Sequence, residues 1–268
     1  MDESISNGIS PDDRRFGLSA DVIKYILITV MVIDHIAWAF VARGSAAWEI
    51  MHFFGRLTGP GMAYFLVQGY MHTRDLKKYA VRLFIFGLIS WPCFVYYKYG
   101  TPFPITISDT PISVMQRIYS FPLASGSYLL VYTHFGVVYT LFLSLMMLRL
   151  YDDQKLGELA KVCGFALLFL LSVFGDWPIY DLLFTLIFYV FRDRKKLMWF
   201  LYCVAALLSF ESGGYTLYGI YQTGLFLVPV LLSCYNGKRS RKNVFNKWFF
   251  YVFYPLHLLV LGLIRWRG

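Results

Sequence analysis

Charge is what this sequence has least of. Asp, Glu, Lys and Arg make up 15% of the 268 residues, against roughly 25% in an ordinary soluble domain. With so little charge and so much apolar content, a disordered chain and a collagen-like chain are both excluded. Cysteine is equally scarce. Cys93, Cys163, Cys203 and Cys234 form no CxxC pair, and each sits in an apolar run. That excludes a disulfide-stapled secreted scaffold and gives no footing for a metal or redox centre; the four read as small core hydrophobes. No HExxH, GxSxG or P-loop occurs, so zinc-protease, serine-hydrolase and NTPase chemistry have no motif to stand on. No CaaX box ends the chain. No internal repeat is present, which weighs against an inverted-repeat transporter.

What is there is apolar: 58% hydrophobic and 20% aromatic residues, with a mean hydropathy of +0.54. The apolar residues arrive in blocks about as long as a bilayer is thick, roughly 20 residues at 1.5 Å rise. The expected fold is all-α, a polytopic transmembrane helical bundle of about nine spans. These lie near residues 22–42, 53–70, 80–97, 128–148, 160–174, 177–191, 197–211, 216–234 and 248–264. The fifth and sixth spans are short and share the turn Gly175-Asp176-Trp177-Pro178, so one re-entrant hairpin is an equal reading. Residues 1–21 form a polar segment with Pro11 and the Arg14–Arg15 pair. The apolar stretch from Val22 is too long for a signal peptide and no small-residue cleavage site closes it, so the first span is expected to stay in the mature chain. Residues 22–268 form one domain.

The basic residues give the orientation. Nineteen of the 25 Lys and Arg fall on alternate ends of the spans: Arg14, Arg15 and Lys24; Arg74, Lys77, Lys78 and Arg82; Arg149, Lys155 and Lys161; Arg192, Arg194, Lys195 and Lys196; Lys238, Arg239, Arg241, Lys242 and Lys247. The opposite side carries five, Arg43, Lys98, Arg117, Arg265 and Arg267, with Arg56 left within the second span. By the positive-inside rule the N-terminus is cytoplasmic and the C-terminus outside. The net charge of +9 then follows from topology and affinity for anionic lipid, and calls for no nucleic acid. The longest connection, Tyr99 to Ser127, falls outside; rich in Pro and edged by aromatics, it is suited to lie on the membrane surface or cap a cavity.

Ionisable groups within spans cost several kcal/mol unless they face a partner or a cavity. Asp34 and His35 lie about two-thirds of the way across the first span. Adjacent helical residues point about 100° apart, so they do not form a dyad with each other. One is free to face a cavity while the other anchors to a neighbour. A histidine there can serve as a general base; a helix-packing hydrogen bond is the plainer reading. Arg56, near the outer end of span two, is within reach of Asp34 or the Trp48–Glu49 region. Gly59-Pro60-Gly61 is expected to break or kink that span and imply a cavity. At its cytoplasmic end, His72, Arg74, Lys78 and Arg82 form a basic cluster: topology-setting charge, or a phosphate-binding mouth. His257 sits near mid-membrane in the last span, two residues after Pro255. His134, Asp176, Asp181 and Glu211 are lesser candidates near span ends.

Three stretches resemble the TraX family of F-pilin acetylases. They are Lys24 to His35, ending Met31-Val32-Ile33-Asp34-His35; Gly55-Arg56 through Phe65-Leu66-Val67-Gln68-Gly69-Tyr70 to His72-Thr73-Arg74, with Lys78-Tyr79 and Arg82-Leu83; and Tyr235-Asn236-Gly237-Lys238 with Phe250-Tyr251-Val252-Phe253-Tyr254-Pro255-Leu256-His257. Two departures, Gln68 in place of a Glu and a longer Pro-containing loop before Tyr132, bear on the acceptor. The resemblance implies transfer of an acetyl group from acetyl-CoA to an amine or hydroxyl of a peptide, protein or glycan, in a bacterial cell membrane and without a metal. Fitted to that chemistry, Arg56, His72, Arg74, Lys78 and Arg82 would bind the acyl-CoA. His35 would be the base, Asp34 would hold the site in register, and His257 would stabilise the oxyanion or protonate the thiolate; the two histidines can be interchanged. The rivals are a transporter or channel using the same His and Asp residues as a path, and a non-catalytic membrane assembly factor.

Overall fold

Capping side chains start three of the helices. In the computed structural model, which describes residues 17–101, 103–112, 117–210, 217–238 and 244–268 without the side chains of 217, 218, 244, 246 and 247, helix α1 runs Ala20–Phe40. Ser19 caps it by accepting the Val22 amide, which satisfies one of the open amides of the first turn. α2 (Ala46–Gly55) is capped likewise by Ser45, and α3 (Thr58–His72) follows at once. α4 (Leu76–Tyr99) starts at a capping Asp75 and ends at Gly100, whose φ of 74° suits a residue without Cβ.

Three antiparallel strands come next, β1 (Ile105–Ser108), β2 (Ile118–Pro122) and β3 (Tyr128–Tyr132), ordered β1-β3-β2. Then follow α5 (Val137–Asp152), α6 (Glu158–Ser172), α7 (Tyr180–Val190), α8 (Lys195–Leu208), a 3₁₀ helix (Leu217–Phe226), α9 (Leu227–Ser233) and α10 (Val244–Arg267).

The elements pass back and forth between two ends. At one end Gly100 meets Trp266 and Gly59 meets Trp177, Arg117 bonds Gly175, and Tyr180 bonds Leu208. At the other, Leu18 pairs with Tyr235, and Tyr70 and Tyr189 share Asp152. α1, α4 and α10 run parallel: Tyr25 meets Phe249 while His35 meets His257, and Phe86 meets Tyr251 while Tyr96 meets Gly262. α1, α4 and Trp248–Arg267 are long and apolar enough to cross a membrane; Tyr180–Val190 and Gly219–Ser233 are shorter apolar helices. On α4, Val81, Phe84, Ile85, Leu88 and Ile89 are each nearly half exposed, a continuous apolar stripe of the kind lipid covers.

Three expectations change. The all-α reading gains a small sheet, because Ile105–Ser108 and Ile118–Pro122 are β-branched and aromatic runs between prolines. The apolar start of the fourth expected span, residues 128–132, is strand β3, and the helix begins only at Val137. The break in the second span falls at Arg56–Leu57 and not at Gly59-Pro60-Gly61. Pro60 sits in the first turn of α3, where its missing amide N–H has no helical partner to lose.

With two smaller ones beside them, two large apolar clusters make up most of the core. One gathers Ile23, Leu27, Phe184, Phe188 and Tyr202; the other gathers Met31, Phe94, Tyr97, Tyr254 and Leu258. α1 contributes to both, and its polar pair lies toward the end of the helix near the sheet.

Candidate functional site

Asp34 and His35 look in different directions, as the 100° step between them requires. Asp34 faces α2. Its Oδ1 accepts from Arg56 Nη2 at 3.1 Å and lies 2.7 Å from His52 Nδ1. This closeness depends on Gly55: a Cβ there would overlap the Asp34 carboxylate. The Arg56 guanidinium lies between the rings of Trp177, at 4.7 Å, and Tyr221, at 5.2 Å. His52 is fully buried against Trp48 and Trp38. Glu49 Oε2 accepts the Tyr221 amide. The cluster ties α1, α2, the turn before α7 and the 3₁₀ helix together.

His35 faces the other way, toward α4 and α10. Its backbone carbonyl accepts the Tyr97 hydroxyl at 2.6 Å, and its Nδ1 is 3.2 Å from Nε2 of His257, 222 residues on. Both imidazoles are buried, at 8% and 7% exposure. His257 Nδ1 lies 3.1 Å from the Phe253 carbonyl. A carbonyl only accepts, so His257 carries its proton on Nδ1 and presents the lone pair of Nε2. His35 must then donate from Nδ1, which leaves its Nε2 without a proton. On this assignment His35 Nε2 carries a lone pair, and the ring also bonds the Met31 backbone.

The basic residues divide. His72, Arg74, Lys78 and Arg82 gather at the α3–α4 turn. His72, Arg74 and Lys78 are exposed, Lys78 pairs with Asp75 at 3.1 Å, and Arg82 reaches Tyr79 and Tyr251. Tyr251 is six residues, about 9 Å of helix, before His257. Arg56 is not with them: it lies at the opposite end of α3, about 22 Å of helix away. Among the lesser candidates, Asp181 is fully buried in α7. His134 lies between β3 and α5 with both ring nitrogens 3.4 Å from Lys98 Nζ. Burial first, then Lys98 and Arg117, hold its imidazole far below the usual histidine range. Glu211 lies outside the described residues. Sequence reasoning assigns no separate role to His52, whose bond to Asp34, 18 residues away, links α1 and α2; the available signal is a His and an Arg four apart, facing an Asp in the preceding span. No group of three or more His, Cys, Asp or Glu placed to hold a metal occurs among the described residues.

Long apolar helices, a lipid-suited exposed stripe and a buried histidine pair between the first and last helices are the features of a helical membrane protein with an internal polar site. The family model for TraX protein matches residues 19–105 and 113–265. The chain belongs to the TraX family, whose members are linked to pilin acetylation. It is 30% identical over 256 residues, 92% of this chain and 96% of the relative, to the probable fimbrial assembly protein FimC, serogroup H1, of Dichelobacter nodosus. No solved structure matches.

Proposed function

We propose that this is an integral-membrane acetyltransferase of the bacterial cell membrane, moving an acetyl group from acetyl-CoA to an amine or hydroxyl of a peptide, protein or glycan acceptor. The observation that carries the reading is the buried His35–His257 pair, whose contacts leave one imidazole nitrogen unprotonated. The helices cross about nine times with the N-terminus in the cytoplasm, as the 19-to-5 division of basic residues supports.

CoA carries several phosphate charges and cannot cross a bilayer, so its nucleotide end docks at the cytoplasmic turn, on His72, Arg74, Lys78 and Arg82. The thioester reaches along α10 toward His257. The acceptor's hydroxyl or amine attacks the thioester carbon while His35 Nε2 takes its proton. A C–O or C–N bond forms, the C–S bond breaks, and the proton passes from His35 to the departing sulfur, so that free CoA leaves. His257 accepts from His35 Nδ1 throughout; it fixes the tautomer and spreads the charge of the imidazolium. Asp34, held by His52 and Arg56, anchors the helix that carries His35 and adds a fixed negative charge one residue away. Arg56 is therefore an anchoring residue in this reading and not a cofactor ligand.

The test is a thermal-shift titration of the detergent-purified protein with acetyl-CoA, CoA and a longer acyl-CoA, with acetyl-CoA turnover measured on the wild type and His35→Ala. Stabilisation by acetyl-CoA and CoA, with turnover lost in His35→Ala while binding persists, is the expected result. Absence of binding by all three would remove the acyltransferase reading.

A further inference from the structure

The orientation assigns only five Lys and Arg to the outer side, and three of them converge. Lys98, at the end of α4, lies electrostatically within reach of Arg117 and Arg265. Two of the three are occupied. Arg117 Nη1 donates to the Gly175 carbonyl at 2.7 Å, and Arg265 Nη1 to that of Tyr97 at 3.4 Å. Lys98 is not. An ammonium has three donors. Among the described residues this one meets the His134 ring nitrogens and the face of Phe94, 5.1 Å away. No carboxylate oxygen of the described residues forms an ion pair with it; Asp176 and Asp34 act on it from farther off.

The surroundings hold this arrangement under strain. The non-glycine residues with positive φ among those described are Arg117 at 56°, Trp177 at 53° and Ile179 at 68°. Such conformations are uncommon for residues that carry a Cβ. All three belong to the two loops joined by the Arg117–Gly175 bond. Tyr97, the neighbour of Lys98, is the residue that bonds the His35 carbonyl. An underused cation thus stands beside the histidine pair, on the side away from the nucleotide-binding turn.

We propose that Lys98, with His134 and Arg117 beside it, holds a carboxylate of the acceptor, so that the acetyl group is delivered to an acidic acceptor. This rests on the acyltransferase reading, and its test separates the two. The purified protein is titrated at constant ionic strength with a short peptide as its free acid and as its C-terminal amide, without acetyl-CoA, and unfolding temperature is read. The same pair is then used as acceptor with acetyl-CoA. The free acid is expected to bind about tenfold or more tightly than the amide, with KM falling by the same factor. Lys98→Met should erase the difference, and Lys98→Arg should keep it, which guards against mere misfolding of the first variant. Equal binding of acid and amide to the wild type, or a preference that survives Lys98→Met, would overturn the proposal. If acetyl-CoA neither binds nor turns over while the acid preference is present and depends on Lys98, the enzyme reading fails and the anion site stands.

Discussion

Replacing Gly55 with Ala should dismantle the Asp34 cluster, and the size of the effect can be worked out. A Cβ on Gly55 falls 2.6 Å from Asp34 Cγ, whereas carbon atoms rest at about 3.5–4.0 Å. The two must separate by about 1 Å. The bonds of Asp34 to His52 and Arg56 are 2.7 and 3.1 Å long, so the same displacement carries both past hydrogen-bonding distance. The groups are well shielded, with Asp34 and Arg56 side chains 14% and 13% exposed and His52 at 0%. A hydrogen bond to a charged partner contributes about 1.5–3 kcal/mol and overpacking costs about 1–3 kcal/mol. Losing the two bonds alone should cost about 3–6 kcal/mol, or on the order of 10 °C in the unfolding temperature, and overpacking adds to that. The assay is thermal unfolding in detergent of Gly55→Ala beside Gly157→Ala, whose Cβ would meet nothing within 4 Å and which should shift by no more than a degree or two. A Gly55→Ala protein melting with the wild type would refute the close approach of α2 to Asp34.

Three further outcomes are expected. His257→Gln keeps an oxygen able to accept from His35 Nδ1 and should retain more acetyl-CoA turnover than His257→Ala; equal loss in both would sink the tautomer argument. Tyr97→Phe removes the donor to the His35 carbonyl and should lower stability by about 1 kcal/mol, read as a fall in melting temperature. Ser45→Ala removes the cap of α2 and should cost about 1 kcal/mol, measured the same way, with turnover falling only in proportion to folded protein.

Much of this architecture is legible in the sequence because bilayer thickness and charge bias are one-dimensional signals. The positions of α1, α4 and α10 follow from apolar run length alone. The site is legible only as a set of misplaced polar residues. Asp34, His35 and His257 stand out because lipid would not tolerate them, yet nothing local says that His35 meets a histidine 222 residues away. That pairing depends on α1 and α10 lying side by side, which is a property of the bundle. His52 escaped notice because it lies at a span end, where water explains a histidine just as well. Pro60 misled in the opposite direction. A proline between glycines suggests a break at its own position, but the break is set one turn earlier, where Arg56 is drawn to Asp34 and Trp177. Strand β3 is masked because Tyr128–Tyr132 is separated from the helix that follows only by Thr133-His134 and Gly136, so residues 128–148 read as one apolar span.

The histidine pair joins the first and last helices of the chain, and this has a consequence for biogenesis. Insertion proceeds from the N-terminus, so His35 reaches the bilayer early and waits while some two hundred residues follow. Until α10 is in place, the imidazole lacks the His257 nitrogen that its Nδ1 meets in the finished bundle. A chain stalled or truncated at its final segment would therefore carry only half of the histidine pair, and any chemistry that needs both rings would wait for the last helix.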